Sequence, residues 1–316
     1  MFPWFQFLQG FRLYRFDGGL MQHPDYNSPA ALKAFLDANG MAMQKKFGQN
    51  FMVNPAAREK IAGLLSAETG DEVWEIGPGL GCMTEALLEK GCKVRVFEID
   101  RGFISMLHSF FSKEESEGRF SIVEGDVLKT WKNQDGNSSV RLFGNLPYNI
   151  AATFIADTIA SGIFFDRCVF TVQKEVTDRI CAAPGTKNYS SFSVLCQLSY
   201  DVSPGIELAP GNFWPRPNVS SQAVLLKRKE KLPDVDTKKF VSVVHALFSS
   251  RRKTIANNIK PLLKPQMQAE ELFEKAGLDK SERAENLTVE NFVRLSQILS
   301  SDIMQIQGTM YESRAD

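Results

Sequence analysis

The sequence predicts an α/β protein: a Rossmann-like, mostly parallel sheet with helices on both faces, followed by a small C-terminal helical domain. Three observations predict it. Short apolar runs alternate with segments of helical periodicity between residues 56 and 172, the pattern of a chain crossing over from one parallel strand to the next. The glycine-rich and polar motifs fall where those runs end, which is where open parallel sheets gather ligands. Beyond residue 231 helical patterns continue with no strong strand among them.

Taken in order, M-F-P-W-F-Q-F-L-Q-G is apolar but lacks the basic start and cleavage site of a secretory signal, so residues 1–43 read as an extension, partly disordered. A-A-R-E-K-I-A-G-L-L (56–65) has helical spacing. V-W-E-I (73–76) is a strand that runs into G-P-G-L-G, and T-E-A-L-L-E-K (84–90) resumes a helix. K-V-R-V-F-E-I-D (93–100) is a second strand, followed by the amphipathic F-I-S-M-L-H-S-F-F. F-S-I-V-E-G-D (120–126), V-R-L-F-G-N (140–145) and C-V-F-T-V (168–172) are the third, fourth and fifth strands. Polar, glycine- and proline-rich stretches at 131–139, 183–191 and 210–221 read as loops, and S-S-Q-A-V-L-L-K-R-K as a late strand. The domains are therefore expected at 44–230 and 231–300, with 301–316 a disordered tail.

Composition narrows the chemistry. No apolar run reaches the roughly 18 residues of a spanning helix. Five widely spaced cysteines without a C-x-x-C pair indicate buried thiols in a reducing cytoplasm. Three scattered histidines make a histidine-based metal site or general base unexpected, and no metal is expected. Net charge is zero, yet residues 227–260 hold ten Lys or Arg against three acids, a local excess suited to phosphate contact.

In E-I-G-P-G-L-G, Gly77, Gly79 and Gly81 permit a tight turn and close ligand approach after the first strand. Glu98, 21 residues after Gly77, ends the second strand where a carboxylate accepts ribose hydroxyls. Asp126 ends the third, placed either to accept an adenine amine or to cap a helix. The spacing departs from G-x-G-x-x-G, and Glu75 beside the turn repels phosphate while suiting a sulfonium and an ammonium. Opposite charge favours S-adenosyl-L-methionine over a dinucleotide.

Asn145-Leu146-Pro147-Tyr148 closes the fourth strand. An exocyclic adenine amine is a poor nucleophile because its lone pair is delocalised into the ring. Hydrogen bonds from that amine to the Asn145 oxygen and to the Leu146 or Pro147 carbonyl pull it toward sp3 geometry, with Tyr148 stacking on the base. As plain structure, the same four residues would simply stop a strand.

These motifs, with K-K-F-G-Q-N-F (45–51), Q-K-E-V (173–176), F-W-P-R-P-N-V-S-S (213–221), F-S-S-R-R-K-T-I (248–255) and R-A-E-N-L (283–287), resemble the small-subunit (16S) ribosomal RNA adenine N6,N6-dimethyltransferase family over about residues 44–299. The resemblance implies that Asn50, the Met52 backbone, Gly77, Glu98, Asp126 and Asn145 contact S-adenosylmethionine. It implies that Asn145 with Tyr148 clamps the target base and that Phe213 is a second aromatic sandwiching it. It further implies RNA contacts at Lys45, Lys46, Arg251, Arg252 and Lys253, although a solvated helix face explains the last three equally simply; Arg216 departs from the family, which commonly has proline there, and is expected as an added phosphate contact. The implied partner is 16S rRNA in an immature 30S subunit, without a membrane, met by a protein that is monomeric when free. The rival readings are a 23S rRNA adenine N6-methyltransferase, a noncatalytic RNA-binding assembly factor and a small-molecule N-methyltransferase.

Overall fold

The computed structural model describes residues 11–14, 21–41, 50–135, 139–265 and 267–299. Two short antiparallel pairs stand outside the main sheet: β1 (Phe11–Tyr14) with β2 (Met21–Pro24), and β3 (Phe51–Met52) with β10 (Phe213–Trp214). The main sheet contains β4 (Glu72–Ile76), β5 (Lys93–Glu98), β6 (Phe120–Glu124), β7 (Arg141–Asn145), β8 (Arg167–Gln173), β9 (Tyr200–Leu208) and β11 (Ser221–Arg228). Their order is β6-β5-β4-β7-β8-β11-β9, and the pairs β6-β5, β5-β4, β4-β7 and β7-β8 are parallel. Order reverses between β5 and β7 on either side of β4, so a crevice opens at the carboxyl end of β4.

Five strands lie where the apolar runs predict them, within a residue or two. β9 was not predicted, because Pro204 and Gly205 interrupt its sequence. Both are accommodated for physical reasons. As the last strand of the sheet, β9 can lack a ladder donor at proline. At Gly205 a Cβ would lie 3.0 Å from Ala223 Cβ and 3.0 Å from Leu64 Cδ1, so only glycine lets β11 approach so closely.

The chain divides into two compact units, one of Met1–Ala151, Phe165–Lys174 and Pro204–Leu225, the other of Ala152–Phe164, Glu175–Ser203 and Leu226–Asp316. In the second unit, the helix Ser191–Ser199 packs with the helices Thr237–Leu247 and Val289–Ile298. Tyr189 Oη donates to the Leu287 carbonyl at 3.0 Å, and Phe248 stacks on Phe292 with centroids 5.8 Å apart. Thr288 and Asn291 form a reciprocal capping box at the start of Val289–Ile298. The second unit thus gathers helices from both sides of the boundary expected near residue 231. Among the described residues no helix is long and apolar enough to cross a membrane.

Part of the expected N-terminal extension belongs to the core of the first unit. Ser28 caps the helix Pro29–Ala38, accepting from the Ala31 N–H, and Pro29 opens it. Its apolar face buries Leu32, Phe35 and Leu36 in the same cluster as Phe51, Leu80 and Phe103. Tyr26, also buried, donates from Oη to the Leu80 carbonyl inside the glycine turn at 2.5 Å. Removing the fully buried Leu32 side chain by Leu32→Ala is expected to destabilise the protein by about 2–5 kcal/mol in denaturant unfolding. A change below about 0.5 kcal/mol would show that the segment is not part of the cooperative core.

Candidate active site

Register brings the chemistry to one face. Glu75 on β4 pairs with Val96 on β5 and Phe143 on β7, and Asn145 on β7 pairs with Thr171 on β8. Because side chains alternate along a strand while register partners share a face, Glu75, Glu98, Asn145 and Thr171 all project to the same side. A cavity of about 320 Å³ opens there. Asn50, Met52, Glu75, Gly77, Gly79 and Glu98 line it, together with Asp126, Asn145, Leu146 and Pro147.

The glycine turn has the conformation that its sequence requires. Gly77, Gly79 and Gly81 all have positive φ, of 68°, 57° and 88°. The Gly77 N–H donates to the Phe97 carbonyl at 2.9 Å, which ties the turn to β5. Gly79 also permits a close approach: a Cβ there would lie 2.8 Å from Phe51 Cε1. Phe51 in turn stacks on Trp214 and meets the Phe103 ring edge-on, so the segment 50–52 lies against the turn.

Glu98 is buried, and its Oε1 accepts the Ile99 and Asp100 N–H groups, each at 2.8 Å. Among the described residues Oε2 accepts only a long bond from the Gly79 N–H at 3.3 Å and is the oxygen with capacity for a ligand. Burial raises the Glu98 pKa against the pull of those three N–H donors. Asp126 Oδ1 caps the helix Val127–Thr130 through the Leu128 N–H at 3.0 Å, and the residue also lines the cavity.

Glu75 is buried, 2% exposed, and accepts the Thr84 hydroxyl at 2.6 Å. Burial pushes its carboxyl up to about 8; the Thr84 bond opposes the shift and the Glu98 charge adds to it. Thr84 has no motif that singles it out in the sequence. It acts because the helix Cys82–Glu89 begins directly after the turn and places its third residue over the end of β4.

The Asn145 amide is held on both sides. Nδ2 donates to the Asn50 carbonyl at 3.0 Å, and Oδ1 accepts the Thr171 hydroxyl at 2.6 Å. Leu146 folds back, its side chain near Gly144 and Gly77. The Pro147 carbonyl accepts the Ile150 and Ala151 N–H groups that open the helix Tyr148–Ala160. The Tyr148 side chain lies outside the described residues, as do Lys45 and Lys46.

Phe213 is not brought to the cavity. It is 4% exposed, sits in the apolar core and pairs with Met52 in the β3–β10 ladder. The ladder is clasped by Asn54, whose Nδ2 donates to Asn212 Oδ1 at 2.8 Å, and by the Val53 N–H, which donates to the Asn212 carbonyl. Arg216 is exposed. Arg251, Arg252 and Lys253 lie in the turn before the helix Ile255–Ile259, not within a helix as their pattern suggests. Arg251 is already engaged, donating to Glu285 at 2.8 Å and to the Lys187 carbonyl at 2.9 Å.

Glycine turn, ribose-type carboxylate and strand-end acid in this strand order define the class of Rossmann-like, S-adenosylmethionine-dependent methyltransferases. The residues fit that cofactor: two buried carboxyl groups give a pyrophosphate no counter-charge, and a cationic nucleoside beside them would favour their ionised forms. The chain belongs to the ribosomal RNA adenine dimethylase family, which it matches over residues 40–301, and is thus an rRNA adenine dimethyltransferase. It is 46% identical over 289 residues to ribosomal RNA small subunit methyltransferase A of Treponema denticola, covering 89% of this chain and 98% of that protein. The protein of the same name from Borreliella burgdorferi is 38% identical, with 89% and 98% covered. Among solved structures, a dimethyladenosine transferase from Plasmodium falciparum has a TM-score of 0.63 at 24% identity, covering 77% of this chain and 94% of that one. The 23S rRNA methyltransferase ErmE has a TM-score of 0.54 at 19% identity, with 78% and 98% covered. These two likenesses speak to the fold.

The Glu75 pKa sets a pH dependence. The folded protein keeps a proton on Glu75 up to about pH 8, whereas the unfolded chain releases it near pH 4.5. The resulting stability is fully present below pH 4.5 and is lost as pH rises through 8. Glu75→Gln, which stays neutral, should therefore gain on the wild type as pH rises across this window, by roughly 4–5 kcal/mol at its upper end. Denaturant unfolding of both ligand-free proteins from pH 5 to 9 checks this; a pH-independent difference would show that Glu75 is ionised throughout.

Proposed function

We propose that the protein transfers methyl groups from S-adenosyl-L-methionine to the N6 amines of two adjacent adenosines near the 3′ end of 16S rRNA, giving N6,N6-dimethyladenosine, within an immature 30S subunit in the cytoplasm. The observation that carries this reading is the doubly held Asn145 amide in the same cavity as Glu75, Glu98 and Asp126. The small-subunit target is favoured over a 23S target because the relatives at 38–46% identity bear the small-subunit name, while the 23S enzyme shares the fold at 19%.

In this reading Glu98 Oε2 takes the ribose hydroxyls and Asp126 the adenine amine of the cofactor. Glu75, Asn50, Gly77, Gly79 and the Met52 backbone surround its charged end. S-adenosylmethionine supplies a methyl on a sulfonium, so that the new N–C bond forms as the C–S bond breaks and its electron pair passes to sulfur. Asn145 Oδ1 and the Leu146 carbonyl accept hydrogen bonds from the two N6–H groups and turn the lone pair out of conjugation. Pro147 contributes by fixing the backbone, because its own carbonyl is committed to the helix behind it. Tyr148 stacks on the base, a contact worth roughly 1–3 kcal/mol, and the proton lost after transfer leaves to water.

Phe213 supports this site from below by holding Met52, and not by stacking. The part of the second unit that follows residue 231 carries the RNA-binding role, where Arg252 and Lys253 offer phosphate contacts while Arg251 serves first to anchor Glu285. Arg216, Lys45 and Lys46 extend the basic surface. The free protein is monomeric, and an already looped adenosine keeps the cost of base extrusion low.

The test is incubation with labelled S-adenosylmethionine and undermethylated 30S subunits, followed by mass spectrometry of the nucleosides. Dimethyladenosine in 16S rRNA is expected, with loss of at least about a hundredfold in rate for Asn145→Ala. Methyl transfer to 23S rRNA alone, or undiminished transfer by Asn145→Ala, would overturn the assignment.

A further inference from the structure

We propose that Thr171 is a positioning residue for methyl transfer, donating the hydrogen bond that keeps the Asn145 oxygen available to the target amine. The proposal rests on the assignment of Asn145 to the N6 amine made above, and deepens it.

Two facts of the fold place the hydroxyl. Asn145 and Thr171 are register partners in the parallel β7–β8 pair, so their side chains leave the sheet side by side on the cavity face. Thr171 is 1% exposed and does not line the cavity, so it touches neither solvent nor ligand, and its 2.6 Å bond to Asn145 Oδ1 is its route to the site.

Donor and acceptor identities then fix the amide without ambiguity. The Asn50 carbonyl only accepts, so the group facing it at 3.0 Å must be the Asn145 NH2. The oxygen must therefore face Thr171. An amide oxygen only accepts, so the hydroxyl must donate. A serine or threonine can fill that place; an aliphatic residue cannot.

The consequence is chemical. The amide oxygen has two lone pairs; Thr171 takes one and leaves the other for an N6 proton. With Thr171 removed, the oxygen would be held by the Asn50 bond alone, through the far end of the amide. The plane could rotate about χ2, a broad and soft torsion. An oxygen displaced from the amine's proton costs rate in the transfer step, where orientation matters, and leaves cofactor binding by Glu98 and Asp126 intact.

The experiment compares wild type, Thr171→Val, Thr171→Ser and Asn145→Ala in the 30S assay, with kcat and KM measured separately and the Kd for S-adenosylhomocysteine determined alongside. Thr171→Val keeps the shape and should lower kcat roughly tenfold, the equivalent of one hydrogen bond, while KM and Kd stay within about twofold. Thr171→Ser keeps the hydroxyl and should restore kcat to within about threefold of wild type. If Thr171→Val fails to fold, Thr171→Cys, a weak donor of similar size, takes its place with the same expected ordering. Wild-type kcat for the Val variant, or Ser as impaired as Val, would overturn the proposal, provided that Asn145→Ala is inactive. An active Asn145→Ala would instead remove the reading on which the proposal rests.

Discussion

The parallel register of β5, β4, β7 and β8 is the constraint on which the rest depends. Glu98, Glu75, Asn145 and Thr171 come from four strands that are far apart in sequence, yet the pairing puts all four side chains on one face at the carboxyl ends. A one-residue slip between β4 and β7 would turn Asn145 to the opposite face from Glu75 and separate the cofactor side of the cavity from the reacting amide. The buried aromatic packing of Trp74 against Phe97 and Phe165 resists such a slip on the other face. The site is thus as precise as the sheet.

A second layer closes over that face. The segment 50–52 is held at several points: Phe51 against Gly79, Asn50 through its carbonyl to Asn145, and Met52 through the ladder with Phe213. Arg58 adds another anchor, donating to the Met52 carbonyl at 2.7 Å and to Asn27 at 2.6 Å. Tyr26 and Asn27 lie before residue 40, where the family match begins, yet they fasten the glycine turn and the covering segment to the core. The residues that hold the cover are therefore drawn from the N-terminal helix region, the proline-rich loop and β7 together.

Much of this was legible in the sequence. Apolar runs located β4 through β8, with glycine or an acid closing the first three, and Gly77, Glu98, Asp126 and Asn145, singled out by motif, line one cavity. What was not legible has physical reasons. β9 hid behind Pro204 and Gly205, whose presence makes sense only once the edge position and the close approach of Ala223 are known. Phe213 looked available in a loop because a proline-rich stretch gives no sign that two of its residues add a strand to Phe51–Met52. Thr84 and Thr171 carry no motif: each matters through a single hydrogen bond to a carboxylate or amide, and tertiary register alone supplies that partner.

In the proposed function one cavity serves both as the cofactor site and as the place where Asn145 meets the target. A crystal structure of the complex with S-adenosylhomocysteine tests this most directly. The predicted result is the ribose on Glu98 Oε2, the adenine amine at Asp126 and the sulfur turned toward Asn145, with the Thr171 bond intact. A nucleoside bound outside this cavity, or one that leaves Glu98 and Asp126 without contact, would contradict the account.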